Sequence, residues 1–174
     1  MRSSKQWWEE TKADPQKLNE WLIKQYRGEA TAAVRIREFA MAHAPSPKDQ
    51  LTLGIIAGQE LLHAEWVLEL LKARGLEPDL DGAEERYWKE TLPGIESFET
   101  GAGVAAHAEA MRLERIEVIA NDPQAPKDVR ETFRRIYADE QFHADAFSRM
   151  AGSDGLNRTR DNHEQGMKAL GLVL

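Results

Sequence analysis

Four long segments of the sequence carry apolar side chains at the three- and four-residue spacing of an α-helix. The first segment opens at Asp14-Pro15, a capping residue followed by a proline in the first turn, and stops at Pro45 and Pro47. Its apolar face consists of Leu18, Leu22, Tyr26, Ala33, Ile36 and Ala40. By the same signals, the helices are predicted over about 15–44, 47–74, 96–121 and 127–151, and Gly75 is predicted as the left-handed cap of the second.

The connections between these segments differ in length. Short proline-containing turns join the first helix to the second and the third to the fourth, whereas residues 76–95 form a long connection with two glycines and two prolines. A short helical piece is predicted around residues 84–90. The N-terminal segment 1–13 precedes the helices, and the tail 152–174 is predicted as loop followed by a short helix over 160–170. Two tight hairpins joined by a long crossover predict an all-α antiparallel four-helix bundle.

Length and composition are consistent with a single domain over residues 1–174, with the bundle at about 15–151. The chain has 23 basic and 30 acidic residues and a net charge of −7, which argues against a general nucleic-acid or anionic-membrane binder. The absence of cysteine excludes disulfides, cysteine-zinc sites, iron–sulfur clusters and a thiol nucleophile. Residues 1–10 lack the apolar run of a signal peptide, and no later stretch approaches the ~20 apolar residues of a membrane span. We therefore expect a soluble cytoplasmic protein with no membrane or nucleic-acid partner.

One short motif occurs twice in the chain. Glu60-x-x-His63 and Glu140-x-x-His143 are each preceded, at the same distance, by a helical glutamate, Glu29 in one case and Glu109 in the other. At a fixed offset of 80 residues, twelve positions between 29–76 and 109–156 are identical, where composition alone would give roughly three. The identical pairs start at residues 29, 30, 35, 36, 40, 52, 56, 60, 63, 64, 75 and 76. The sequence therefore predicts a duplicated helix pair, each half of which supplies half of one site.

The residue types of this site favour a pair of metal ions. Residues three apart on a helix project from one face, so each Glu-x-x-His aims a carboxylate and an imidazole at one point. Bridging carboxylates offset the charge of two dications about 3.5 to 4 Å apart, and imidazole favours iron or manganese over magnesium or calcium. We expect Glu60 and Glu140 to bridge the ions and Glu29 and Glu109 to be terminal ligands. The imidazoles of His63 and His143 would each bind one ion.

The order Glu29, Glu60-x-x-His63, Glu109, Glu140-x-x-His143 resembles the ferritin-like di-iron carboxylate superfamily, most closely its rubrerythrin and bacterioferritin branches. The resemblance covers about residues 15–151. It implies a ferritin-like antiparallel four-helix bundle with a long crossover between helices 2 and 3. It also implies two iron ions as cofactor, with two manganese ions or a mixed pair as the alternatives.

Three departures from these branches narrow the expected function. Rubrerythrins usually carry a cysteine-rich rubredoxin domain, and since this chain has no cysteine its electrons would come from a separate donor. Many rubrerythrins also have an extra glutamate one turn after the third-helix ligand, where this chain has Arg112 or Leu113, which argues against peroxide reduction by their ligand-switching mechanism. Bacterioferritins bind haem through a methionine on the second helix, and residues 47–74 contain none, so haem of that type is not expected.

The resemblance implies an oxidoreductase that activates dioxygen or peroxide, in which Glu29 or Glu109 acts catalytically by shifting its coordination. Whether an organic substrate takes part is left open. The alternatives are an iron-binding or storage protein with ferroxidase activity and a metal-binding bundle without turnover. A homo-oligomer is expected, with a dimer favoured.

Four further residues are candidates for contacts around the ligands. Asp139 directly precedes a ligand glutamate, as in several di-iron oxygenases, and is expected to orient His63 across the bundle; Gln59 holds the duplicated position. Tyr26 and Tyr137 each lie one helical turn before a ligand glutamate and are candidates for a hydrogen bond to it. The alternative is an ordinary polar role for Asp139 and simple packing for the two tyrosines.

Overall fold

The computed structural model describes residues 3–82 and 86–172. The helices are α1 (Ser4–Lys12), α2 (Pro15–His43), α3 (Pro47–Lys72), α4 (Arg86–Thr91), α5 (Phe98–Asn121) and α6 (Lys127–Ala169), with a 3-10 turn at Leu92–Gly94. No strand occurs in the described ranges. The predicted all-α fold is confirmed. The four helices of the bundle are α2, α3, α5 and the first part of α6.

The predicted helix boundaries have identifiable caps. The Asp14 side chain accepts a hydrogen bond from the backbone N–H of Gln16 at the start of α2, and the Ser46 hydroxyl accepts one from Asp49 N–H at the start of α3. Beyond the end of α3, Gly75 has a φ of 73°. The Leu76 N–H then donates to the Leu71 carbonyl at 3.0 Å, so the chain leaves the helix through the left-handed turn predicted for Gly75.

The bundle has two apolar layers, one on each side of a polar middle. Helix α2 packs along α3, and α5 packs along α6. One layer includes Leu22, Val67, Ile119 and Phe133. The other includes Ile36, Ile56, Ala106 and Phe147. Because the predicted ligands lie between these positions on every helix, both layers separate them from water.

Helix α1 covers one end of the bundle and was not predicted as an element. The Ser3 hydroxyl caps it, and its tryptophans pack against Trp21. The Trp8 indole N–H and the Lys12 ammonium both donate to the same Asp122 carboxylate oxygen, each at 2.8 Å. Burial alone would raise the pKa of Asp122, but these hydrogen bonds and the one from Gln124 N–H outweigh it and lower the pKa below its usual value of 3.8. Asp122 is therefore an ionised anchor for α1.

The tail prediction requires a correction. A loop was expected directly after Gly152, followed by a helix over 160–170, but the chain is helical to Ala169 apart from a kink at Gly152, where φ is 59°. The loop prediction was wrong because only Gly152 interrupts the helix, while Gly155 serves close packing. A β-carbon on Gly155 would collide with the backbone of Glu99, and the Thr159 hydroxyl donates to the Gly155 carbonyl at 2.8 Å.

The long crossover contains the predicted short helix. This helix, α4, is observed at Arg86–Thr91, whereas it was predicted around 84–90, and residues 84 and 85 lie outside the described ranges. None of the helices in the described part of the chain is both long and apolar enough to cross a membrane.

Candidate metal centre

Four helices bring the six predicted ligands together in the middle of the bundle. Helix α2 supplies one glutamate, α5 supplies another, and α3 and α6 each supply a glutamate and a histidine one turn apart. Five of these side chains, those of Glu29, Glu60, His63, Glu140 and His143, have no solvent exposure, and that of Glu109 is 7% exposed. Such complete burial of four carboxylates requires compensating positive charge.

The six residues form two overlapping groups of possible metal ligands. One group is Glu29, Glu60, His63 and Glu140, and the other is Glu60, Glu109, Glu140 and His143. Within each group, one ligand atom from every residue lies within 4.8 Å of the others. Glu60 and Glu140 belong to both groups, which is the arrangement that two bridging carboxylates require.

The buried donor atoms at this centre are left without hydrogen-bond partners. Both carboxylate oxygens of Glu60 and of Glu140, one oxygen of Glu29 and of Glu109, and the Nδ1 atoms of both histidines lack a hydrogen bond of good geometry. Their remaining contacts are ion pairs within the site, such as the one of 3.0 Å between His143 Nδ1 and a Glu60 oxygen. Unsatisfied polar atoms are rare in a protein interior, and here they converge from four helices. Carboxylate oxygen together with imidazole nitrogen suits iron or manganese, so the donor set fits the metal pair that the sequence predicted.

A hydrogen-bonded chain behind the histidines sets their orientation. His63 Nε2 lies 3.0 Å from an oxygen of Asp139, and His143 Nε2 lies 3.0 Å from the amide oxygen of Gln59. The Gln59 amide nitrogen donates to Asp139 at 2.8 Å. Since both outer partners are acceptors, each histidine carries its proton on Nε2 and presents the Nδ1 lone pair to the site.

Arg112 is a part of the site that the sequence analysis did not predict. Its guanidinium pairs with Glu29, lies 3.1 Å from a Glu140 oxygen and lies 3.5 Å from a Glu60 oxygen. The side chain is 21% exposed. In the sequence, Arg112 stood out only as a departure from the rubrerythrin pattern. The missed signal was its spacing, because a residue three positions after Glu109 on α5 lies on the same helical face.

The buried carboxylates differ in pKa. Burial and then repulsion from Glu140 raise the pKa of Glu60. Burial and repulsion from Glu140 and Glu60 raise the pKa of Glu109 well above its usual range. Burial acts on Glu140 too, but Arg112 and the neighbouring histidines outweigh it and hold that pKa well below its usual range. Of these three carboxylates, Glu140 is thus the one whose ionised form its surroundings favour, and it belongs to both ligand groups.

The other candidate residues lie in ordinary surroundings. Tyr26 and Tyr137 pack against the apolar layer next to α1, and within the described ranges neither hydroxyl bonds a ligand carboxylate. His107 stacks on His163 with ring centroids 4.7 Å apart. The nitrogen His107 Nε2 lies 3.1 Å from the Leu156 carbonyl oxygen. The stacked pair thus ties α5 to the C-terminal part of α6.

An apolar cavity reaches the metal centre from one side. It has a volume of about 590 Å³ and is bordered mainly by α2 and α5. Glu29, Glu109 and Arg112 line it together with apolar side chains. These apolar residues include Ile36, Phe39, Val104, Ala108, Ile116 and Phe147. The two carboxylates predicted to be terminal ligands, rather than the bridging pair, are the ones that border this space.

Comparison with known protein families gives a match over most of the chain. The family model described as Rubrerythrin matches residues 20–151, a range that includes all six predicted ligands and Arg112. No curated protein and no solved structure matches the chain significantly.

Proposed function

The chain belongs to the rubrerythrin family of ferritin-like di-iron carboxylate proteins, and we propose that it is a non-haem di-iron oxidoreductase that activates dioxygen or peroxide. The observation that carries this proposal is the pair of buried four-residue ligand groups sharing Glu60 and Glu140. Two manganese ions or a mixed pair are the alternative occupants. A reduced metal pair would supply two electrons to an oxygen substrate.

The residues of this chain support that chemistry in separate ways. Gln59 and Asp139 fix the proton of each histidine on Nε2, which leaves Nδ1 for the metal. The apolar layers keep water away, so the carboxylates act in a low-dielectric interior. Glu29 and Glu109 each belong to one group only and border the cavity, so either can change its coordination without breaking the shared pair.

Some di-iron sites that reduce peroxide use an additional glutamate ligand, and Arg112 distinguishes the site of this chain from them. Where such a glutamate would lie, one turn after Glu109, this chain places a cation in contact with the ligand carboxylates. A guanidinium cannot bind a metal. We therefore favour dioxygen as the substrate, with electrons delivered by a separate donor protein or by an organic substrate.

The test begins with metal content and assembly size. Protein produced with ample iron is analysed by elemental mass spectrometry and gel filtration, and the reduced sample is then given oxygen in an oxygen electrode. The proposal expects two irons per chain, a small oligomer and rapid oxygen uptake. A shell-sized particle with many irons per chain would instead indicate storage, and two bound irons without oxygen uptake would indicate a metal-binding bundle without turnover.

Variants then test the ligand assignment. Glu60→Ala and Glu140→Ala should each lose the metal pair, because each removes a ligand from both groups. Glu65→Ala is the matched control, since Glu65 is exposed on the same helix. Tyr26→Phe and Tyr137→Phe should also retain metal. Equal metal content in all of these variants would overturn the assignment.

A further inference from the structure

We propose that the cavity between α2 and α5 binds an organic monocarboxylate with an apolar body, and that Arg112 holds its carboxylate beside the metal centre. This inference rests on the proposed function, because it names the class of organic molecule that the oxidoreductase would take. It assigns Arg112 as a substrate-positioning residue.

The cavity is suited to an organic molecule. Its volume of about 590 Å³ lies within the range of about 300 to 1,000 Å³ found for ligand sites. Aliphatic and aromatic side chains such as Ile36, Phe39 and Phe147 form much of its wall. Dioxygen, peroxide or a ferrous ion needs no apolar space of this size. The cavity therefore indicates a substrate with an apolar body of several carbon atoms.

The inner end of the cavity is charged. Glu29, Glu109 and Arg112 meet there, and Arg112 Nε is buried without a hydrogen-bond partner. The oxygens that Arg112 contacts on Glu29, Glu60 and Glu140 belong to residues of the metal-ligand groups. Two metal ions bound by those residues would compete with the guanidinium for the same carboxylates.

Charge balance then favours a monoanion. Two divalent ions (+4) neutralise the four ligand carboxylates (−4), and Asp139 (−1) lies behind His63, so with metal bound the positive charge of the Arg112 guanidinium loses the ligand carboxylates that balance it. A carboxylate neutralises this charge and matches the planar guanidinium with two parallel hydrogen bonds. A neutral or cationic head group does neither.

Two other arginines line the cavity but are engaged by aromatic rings. The Arg35 guanidinium lies over Trp88 at 5.0 Å from the ring centroid, and the Arg115 guanidinium lies over Trp7 at 5.2 Å. Arg112 is the cation that contacts the ligand carboxylates, so the anionic head is expected at the metal end. The apolar body would then extend along α2 and α5 toward the exposed Glu38.

The binding test uses decanoate as the probe, with decanol and decylamine as matched molecules of other charge. Calorimetry is carried out on protein loaded with manganese(II) and on protein treated with a chelator. We expect decanoate to bind the loaded protein at least ten times more tightly than decanol does, and decylamine not to bind. We also expect at least tenfold weaker decanoate binding by the chelated protein, in which Arg112 is paired with glutamates.

Two pairs of variants locate the binding. Arg112→Met should weaken decanoate binding at least tenfold, and Arg112→Lys should restore part of it. Gly28→Phe should block the cavity, because Gly28 lines it and has open space beside it. Gly58→Phe is its control, since Gly58 on α3 also faces open space but does not line the cavity. Metal content is measured in each variant, so that loss of metal is not mistaken for a blocked cavity.

The outcomes separate this inference from the proposed function. Protein that binds two metals and consumes oxygen, but binds decanoate no better than decanol, would overturn the inference and leave the oxidoreductase proposal standing. Equal decanoate affinity in Gly28→Phe and Gly58→Phe would also overturn it. A chain that takes up no metal would overturn both proposals, because the inner end of the cavity would then carry net negative charge.

Discussion

Replacing Arg112 with methionine should weaken the metal-free protein and strengthen its binding of metal. Methionine keeps an unbranched apolar stem of comparable packing and removes the positive charge. In the structure, the guanidinium contacts Glu29, Glu60 and Glu140, whose side chains are fully buried. The variant therefore leaves three buried carboxylates without their cation.

The magnitude follows from the burial of the pair. Removing one partner of a buried ion pair costs about 3 to 5 kcal/mol, because the other charge stays buried. Since the Arg112 side chain is 21% exposed, the lower end applies, and the metal-free variant should lose about 3 kcal/mol of unfolding free energy. In the metal-loaded protein the ions compensate the same carboxylates, so the loss should be below about 1 kcal/mol.

The difference between the two states is a change in metal affinity. The variant loses about 2 kcal/mol more unfolding free energy without metal than with it, so Arg112→Met should bind metal about thirty-fold more tightly than the wild-type protein, since each 1.4 kcal/mol is a factor of ten. Urea unfolding of chelated and manganese-loaded protein gives the stabilities, and competition with a coloured chelator gives the affinity. The control is Arg149→Met, because Arg149 pairs with Asp145 at 2.7 Å on the exposed surface of α6.

The reasoning would be refuted by either of two results. The first is that Arg112→Met loses the same unfolding free energy with metal as without it, which would show that Arg112 does not compensate the ligand carboxylates. The second is weaker metal binding by Arg112→Met than by the wild-type protein, which would show that the guanidinium supports the metals rather than competing with them. Arg149→Met should change neither stability nor affinity appreciably.

Four further predictions concern the surroundings of the site. Asp139→Ala should lower metal affinity about 10- to 100-fold, because it removes the acceptor that orients His63, while leaving the helix content in circular dichroism unchanged. Asp122→Ala should cost about 1 to 2 kcal/mol in urea unfolding, since Trp8 and Lys12 lose their shared acceptor. Because the pKa of Asp122 is lowered in the folded protein, the ionised side chain contributes its full stabilisation above about pH 4, and this stabilisation is lost as the pH falls through the folded-state pKa. If the stability difference between the wild-type protein and Asp122→Ala did not shrink in acid, this role of Asp122 would be contradicted. Gly155→Ala should destabilise the protein by about 1 to 3 kcal/mol through its collision with Glu99, and a neutral effect would contradict the close packing of α5 on α6. Chelation of the wild-type protein should lower its melting temperature, because metal binds the folded site only; an unchanged melting curve after verified metal removal would contradict a stabilising site.

The expected homodimer remains a prediction, and light scattering on a gel-filtration column would measure it directly. Helix α3 offers an exposed apolar row at Leu51, Ile55 and Leu62, positions that share one helical face. If this row forms the interface, Ile55→Glu should convert a dimer into a monomer. A wild-type monomer would contradict the expectation itself.

The local signals in the sequence were sufficient for the architecture and for the six residues that meet in the middle of the bundle. Apolar spacing, the caps at Asp14 and Ser46 and the left-handed Gly75 depend on residues close together in the chain, and such preferences act before any tertiary contact forms. These six residues could be picked out because the duplication repeats Glu-x-x-His with an upstream glutamate at a constant distance; their role as metal ligands stays a prediction. Helical periodicity then places them on facing sides of one bundle.

The tertiary structure decided what lies around that set, because those contacts join residues far apart in the chain. Arg112 reaches Glu29 across 83 positions, and Trp8 reaches Asp122 across 114. The spacing of Arg112 from Glu109 indicates the helical face on which it lies, but the partners in both pairs are set by tertiary contacts. The glycines after residue 151 gave a loop signal, yet Gly155 is needed because α6 approaches Glu99 too closely for a side chain. The cavity beside Glu29 and Glu109 likewise lies between α2 and α5, which come from different halves of the chain. The sequence by itself thus determined the helices and the carboxylate and imidazole side chains that they bring together, while long-range packing determined the charge and the space next to them.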